Sequence, residues 1–355
     1  MVNEALARWS DLAFEAALAG YVVALACYAI DFAARRGAVP TEAEAASVRI
    51  RQAARAGGTT TLEAPGHIGT VQRRTARPMA ERFGTAAVVV TVVATAANLL
   101  SVLFRGLAVS RLPLANMYEY ASAICAIAMV CWLIVLARTK ARALGLFVLL
   151  PVTILAGVAF SVLYVPAGPV VPALNSYWKW IHVSTVSISS SILLVTGAAS
   201  VLYLLRSRYE RRLVADQRAV TDAAAAPGGG DVFPGSVTSV AADRSLLSRL
   251  PSLASLDRIA YRTAIVAFPI YTFALIAGAL WAEVAWGRYW GWDPKETCAF
   301  VSWVLYAGYL HARATAGWRG RPAAWIAVVG FASIIFNLFF INMVVSGLHS
   351  YAGLN

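Results

Sequence analysis

Residues 83–104 read FGTAAVVVTVVATAANLLSVLF, an uninterrupted run with no charged side chain, closed by Arg82 on one side and Arg105 on the other. At 1.5 Å per residue such a run, as a helix, crosses the ~30 Å hydrocarbon core of a bilayer. In lipid no water satisfies backbone N–H and C=O groups, so the segment closes its hydrogen bonds internally as an α-helix. Working outward, seven further runs of this kind occupy 12–33, 117–137, 145–165, 181–205, 260–283, 298–315 and 323–346. The fold class is therefore all-α and polytopic, with about eight transmembrane helices.

The composition agrees. Of 355 residues, 59% are hydrophobic and 14% charged, where soluble domains run near 45–50% and about 25%. Mean hydropathy is +0.66. A soluble globule, a disordered chain and a secreted disulfide scaffold are excluded. The net charge of +12 would suggest nucleic acid in a soluble protein. Here the basic residues punctuate apolar runs, and the partner they imply is the bilayer, with no nucleic acid. Of the 30 Lys and Arg residues, all but Arg8, Arg105, Arg111, Lys179, Arg288 and Lys295 fall on one side of the alternating loops. The positive-inside rule makes that side cytoplasmic and sends both termini to the outer face. The first run lacks a basic n-region and reads as a retained span.

These readings divide the chain into a first transmembrane helix (1–34), a cytoplasmic connector (35–82), helices two to five (83–205), a low-complexity cytoplasmic connector (206–258), and helices six to eight (259–355) with an outer loop at 284–297. Cys27, Cys125, Cys131 and Cys298 form no CxxC pair, and no CxxCH is present. They read as buried small hydrophobes, and the chain is not itself a c-type cytochrome.

Four histidines remain. His67 lies in the first connector beside Pro65 and Gly66 and reads as a solvated loop residue. His182, at the outer start of span five, and His349, just beyond span eight, are remote in sequence and share one membrane depth. Two imidazoles at one level suit the two axial faces of haem iron. His311 lies well inside span seven, roughly 20 Å from its outer edge, where an ionisable group is functional by default. No second histidine shares its depth, so a metal partner for it comes from another subunit or a weaker donor.

The loop between spans six and seven reads Trp286-Gly287-Arg288-Tyr289-Trp290-Gly291-Trp292-Asp293-Pro294-Lys295-Glu296-Thr297. Its indoles and phenol offer flat apolar faces with polar edges, the glycines admit a large planar ligand, and Arg288 suits a propionate. Asp293, Lys295 and Glu296 also stand where charges cap a following helix.

This string resembles the WWD signature of the haem-handling proteins of cytochrome c biogenesis, and most of all the CcsA/ResC family of the system II pathway. His182 within WKWIHV, His349 within GLHSY and His311 between them carry the resemblance further. Residues 113–119, PLANMYE, are similar to a second family stretch usually written PLSNMYE, with Ala115 in place of serine. The resemblance covers roughly 83–355. It implies haem b as cargo and bound ligand, with His182 and His349 as its axial and catalytic pair on the outer face. It implies a platform made by Trp286, Arg288, Tyr289, Trp290, Trp292 and Asp293, and His311 as a ligand of an intramembrane haem site. It further implies a CcsB/ResB-type membrane partner, apocytochromes c with CxxCH as substrates, and a holocytochrome c synthase activity that forms thioethers. The location implied is the cell membrane, with an extracytoplasmic active face. Ser184 to Ser191 in span five suit close helix packing, and Asn337 and Asn342 suit support of a histidine. A b-type bis-histidine membrane cytochrome and a non-haem transporter remain the alternatives. A Soret band separates the transporter from the other two.

Overall fold

A computed structural model describes residues 2–34, 78–139, 141–168, 176–225, 246–315, 317–341 and 345. His67, Asn342 and His349 lie outside the described residues, as does most of the 35–82 connector.

Eight long helices stand where the apolar runs lie: α1 (Glu4–Ala34), α2 (Pro78–Val109), α3 (Met117–Thr139), α4 (Gly145–Ser161), α5 (Tyr177–Ala225), α6 (Leu253–Trp286), α7 (Pro294–Ala314) and α8 (Arg321–Phe336), the last prolonged by a π-helical turn, Asn337–Ile341. No strand occurs among the described residues. Seven of the eight are long and apolar enough to cross a membrane. The exception is α7, which has the length (21 residues) but carries Lys295, Glu296, His311 and Arg313. It is held among the others by packing on α6 and α8.

Most helices outrun their apolar stretches, since a helix does not stop at the hydrocarbon edge. The longest excess is in α5, which continues through 206–225, part of the segment expected to be a connector. No Gly or Pro interrupts that stretch before Pro227, and Arg206 pairs with Glu210 one turn on at 2.7 Å, a spacing that supports an exposed helix.

Small residues set the closest packing. α1 and α2 run antiparallel with Ala17, Ala24, Ala87 and Ala94 buried between them. A Cβ on Gly20 would stand 2.7 Å from that of Ala94. α5 and α6 form the second tight pair, bridged by Thr196 and Thr263 at 2.8 Å. Phe331 of α8 occupies the space a side chain on Gly197 of α5 would need. Small side chains let helix backbones approach where lipid supplies no hydrophobic drive between helices.

One end of the bundle is tied by the PLANMYE stretch. The Glu119 carboxylate, wholly buried, accepts from Arg111 at 2.8 and 3.1 Å, from Arg105 Nε at 3.3 Å and from the Ala115 backbone N–H at 2.8 Å. Arg105 also donates to Asp11 of α1 and to the Val165 carbonyl, and Arg111 to that of Gly168. One acid thus joins the starts of α1 and α3, the end of α2 and the loop after α4. In that loop, burial and a hydrogen bond to Asp11 raise the Tyr164 phenol above its ordinary pKa.

Removing one partner of such a cluster strands the other charges. Glu119→Gln is expected to destabilise the chain by about 3–5 kcal/mol, read as a lowered unfolding midpoint in detergent. An unchanged midpoint would show that the arginines are satisfied without it.

Candidate functional site

At the same end of the bundle, α3, α5, α6, α7, α8 and the tryptophan loop line a cavity of about 890 Å³, counting the open space at its mouth. His182, in the second turn of α5, faces it. Its Nδ1 lies 2.7 Å from the Ala274 carbonyl of α6. A carbonyl only accepts, so Nδ1 carries the proton and the lone pair resides on Nε2, the tautomer suited to metal ligation. The ring stacks on Trp281, centroids 6.1 Å apart at 22°. Room for it depends on Gly278, one turn beyond Ala274: a Cβ there would lie 2.8 Å from both Nδ1 and Cε1 of the imidazole.

The loop is built by its charges. α6 ends at Gly287, whose φ of 68° is the left-handed conformation that glycine adopts without strain. α7 begins with a capping box: Asp293 accepts from the Lys295 N–H, while Glu296 accepts from Asp293 at 3.2 Å and from Gly291 at 2.9 Å. Trp292 is held between them at φ 58°, a conformation costly for an aromatic residue, and its indole is 69% exposed. The box thus holds an indole out at the rim. Burial pushes the ammonium of Lys295, ahead of the apolar part of α7, down to about 8, with Asp293 opposing.

Of the residues expected to form a site, His182, Tyr289 and Trp290 line this one cavity. Trp286 joins it through Trp281, at 5.0 Å. Arg288 and Trp292 are exposed at the rim, the Arg288 guanidinium lying where a side chain on Gly291 would go. The Asp293 carboxylate is directed into the cap of α7. His311 is elsewhere: it is exposed in the last turn of α7, roughly 24 Å along the axis from Lys295. Asn337 donates to the Lys295 carbonyl at 3.4 Å.

Two polar atoms of the lining, Trp290 Nε1 and Asn337 Oδ1, are buried without a hydrogen-bond partner. An apolar, aromatic cavity with an imidazole lone pair, an ammonium and an unanswered indole N–H fits a flat, mostly apolar, carboxylated metal chelate. Haem has that chemistry.

Residues 114–349 match the family described as Cytochrome C assembly protein. Over 304 residues, 78% of this chain and 88% of the relative, the sequence is 34% identical to cytochrome c biogenesis protein CcsA of Gloeobacter violaceus. It is 33% identical to CcsA of Porphyra purpurea over 284 residues, 76% and 87% of the two chains. The chain belongs to the CcsA family of cytochrome c biogenesis proteins. Its fold is similar to that of cytochrome c haem lyase CcmF, with a TM-score of 0.57 at 15% identity, over 94% of this chain and 46% of the other. A CcsA-family chain of this make is a multi-pass membrane protein with a role in cytochrome c biogenesis.

Sequence reasoning missed Gly278, Trp281, Tyr120 and Tyr271, all of which line the cavity. Tyr120 directly follows PLANMYE, a usable signal. Gly278 and Tyr271 lie in an apolar run that looks uniform until a neighbouring helix is set against it.

Gly278→Ala is expected to displace the imidazole and break its bond to Ala274. A misplacement of this size costs on the order of 10²-fold in cytochrome c maturation, measured by haem staining at equal protein level. Unimpaired maturation would mean that the position of His182 does not matter.

Proposed function

We propose that this chain delivers haem across the membrane and attaches it covalently to the CxxCH motifs of apocytochromes c on the outer face. It does so as the WWD subunit of a system II cytochrome c synthase, together with a CcsB/ResB-type partner. The observation that carries the proposal is the His182 imidazole, fixed in its metal-binding tautomer beside Trp290 and Tyr289 in one aromatic cavity. In this reading His349 supplies the opposite axial ligand. Leu338, which lines the cavity, precedes it by eleven positions in the sequence. His311, exposed on α7, serves an inner haem site completed by the partner subunit. The cargo is haem b, whose vinyl groups are unreacted.

The chemistry asks for placement more than for an activated side chain. Each thiol of CxxCH adds across one vinyl group: a C–S bond forms at the carbon next to the ring, and the thiol proton ends on the terminal carbon. Two thioethers result and no electron is gained or lost. The motif's histidine replaces one axial imidazole. A cavity that fixes the ring plane supplies the orientation, worth several kcal/mol of barrier. Lys295 and the Trp290 N–H suit the propionates. The excess of Lys and Arg on the opposite loops supports an extracytoplasmic site in the cell membrane.

His182→Ala and His349→Ala are each expected to abolish holocytochrome c formation in cells carrying both subunits, with partial rescue by added imidazole. Full maturation in either variant would refute the outer pair. His311→Ala is expected to lower the haem that co-purifies with the complex, read from the Soret band. Normal haem content would remove His311 from the inner site.

A further inference from the structure

At the end of the bundle away from His182, a cleft of about 980 Å³, counting the open space at its mouth, lies between the end of α3 and the start of α6. Arg138 and Arg142 line one side and Arg249, Arg258 and Arg262 the other, with no carboxylate in the lining. Asp257, next in sequence to Arg258, is engaged by Arg313 at 3.0 Å. Among the described residues, Arg138, Arg142, Arg258 and Arg262 make no ion pair, and the buried Nε of Arg249 has no hydrogen-bond partner. Arg258 and Arg262 stand one turn apart on one face of α6, a like-charge spacing that disfavours the helix unless an anion answers it. Ser252 and Ser255, at the N-terminus of the same helix, also line the cleft; the Ser252 hydroxyl donates to that of Ser255 at 3.0 Å, which leaves the Ser255 O–H as a further donor.

The same two helices continue from the arginines into exposed apolar side chains. Ile134, one turn before Arg138, is 54% exposed. Val266, one turn after Arg262, is 56% exposed, and Phe273 extends that face at 48%. A cluster of guanidinium groups leading onto an apolar, lipid-facing stripe is shaped for an amphiphile: a phosphate among the arginines, with chains along α3 and α6. Basic pockets at the ends of membrane helices bind anionic headgroups in this way, and bidentate contacts favour phosphate.

We propose that this cleft is a binding site for one anionic phospholipid, whose phosphodiester is held by Arg138, Arg142, Arg258 and Arg262. The site is separate from the haem-binding cavity and stands or falls independently of it.

The test is native mass spectrometry of the full chain in mild detergent, offered equal amounts of phosphatidylglycerol and phosphatidylcholine with identical acyl chains. Retention of phosphatidylglycerol over phosphatidylcholine by about tenfold is expected. Arg258→Gln with Arg262→Gln should bring that ratio near one, and the corresponding pair of lysine substitutions should keep most of it. Equal retention of both lipids by the unaltered chain, which needs no variant to fold, would overturn the proposal. So would an unchanged ratio in the glutamine pair. A large excess of glycerol phosphate should leave the bound lipid in place. Its displacement would assign the cleft to a soluble phosphate and overturn the lipid.

Discussion

A polar group inside hydrocarbon has no water to answer it, so it must be answered by the chain or by a ligand. That constraint orders the polar inventory of this molecule. In mid-bundle the helices meet through alanine, glycine, serine and threonine, and the hydroxyls fold back on their own helix, as Thr91 does on the Ala87 carbonyl at 2.7 Å. Charge gathers at the two ends. At the end carrying His182 part of it is consumed internally: Glu119 holds two arginines, and Asp293 and Glu296 cap α7. At the opposite end the arginines of α3 and α6 have no such answer. The positive-inside asymmetry is thus more than a count. On the minority side Arg105 and Arg111 are parts of the architecture, while on the majority side Arg138, Arg258 and Arg262 stand exposed.

The tryptophan loop shows how one motif serves two tasks. Its acids are structural: Glu296 gathers the N–H groups of Gly291 and Asp293, and Asp293 starts α7. Its aromatics are then placed by consequence. Trp290 turns into the cavity, with its ring edge-on to Trp292 at 5.7 Å and near Phe300 at 6.1 Å, and Trp292 is held outward in a strained conformation. Backbone strain of this kind persists only where surrounding contacts over-determine it, and here the capping box does so.

Much of this is legible in the sequence, unevenly. The apolar runs locate all eight helices, because lipid solvation writes itself into about twenty residues at a time. They mislead about helix length, since hydropathy reports immersion and not backbone: α5 continues as a helix through 206–225. The loop and His182 stand out as residue types that idle segments do not carry. Gly278 and Ala274 do not stand out, because their roles exist only across the α5–α6 interface. The contributions of Arg105, Arg111 and Glu119 are hidden for the same reason. Each looks like an isolated charge until α2, α3 and the loop after α4 converge.

The partner chosen for His182 fits the proposed function. A histidine backed by a carboxylate becomes more basic and holds a metal more firmly. Here the backing group is the neutral carbonyl of Ala274, already part of helix α6. It fixes the tautomer and the ring orientation while adding no negative charge to strengthen the bond at Nε2. A site that must orient its cargo and then surrender one axial position to an incoming histidine needs direction more than affinity. Rigidity comes from the helix pair and from the space at Gly278, so under the proposed function the imidazole needs no strong grip on the metal.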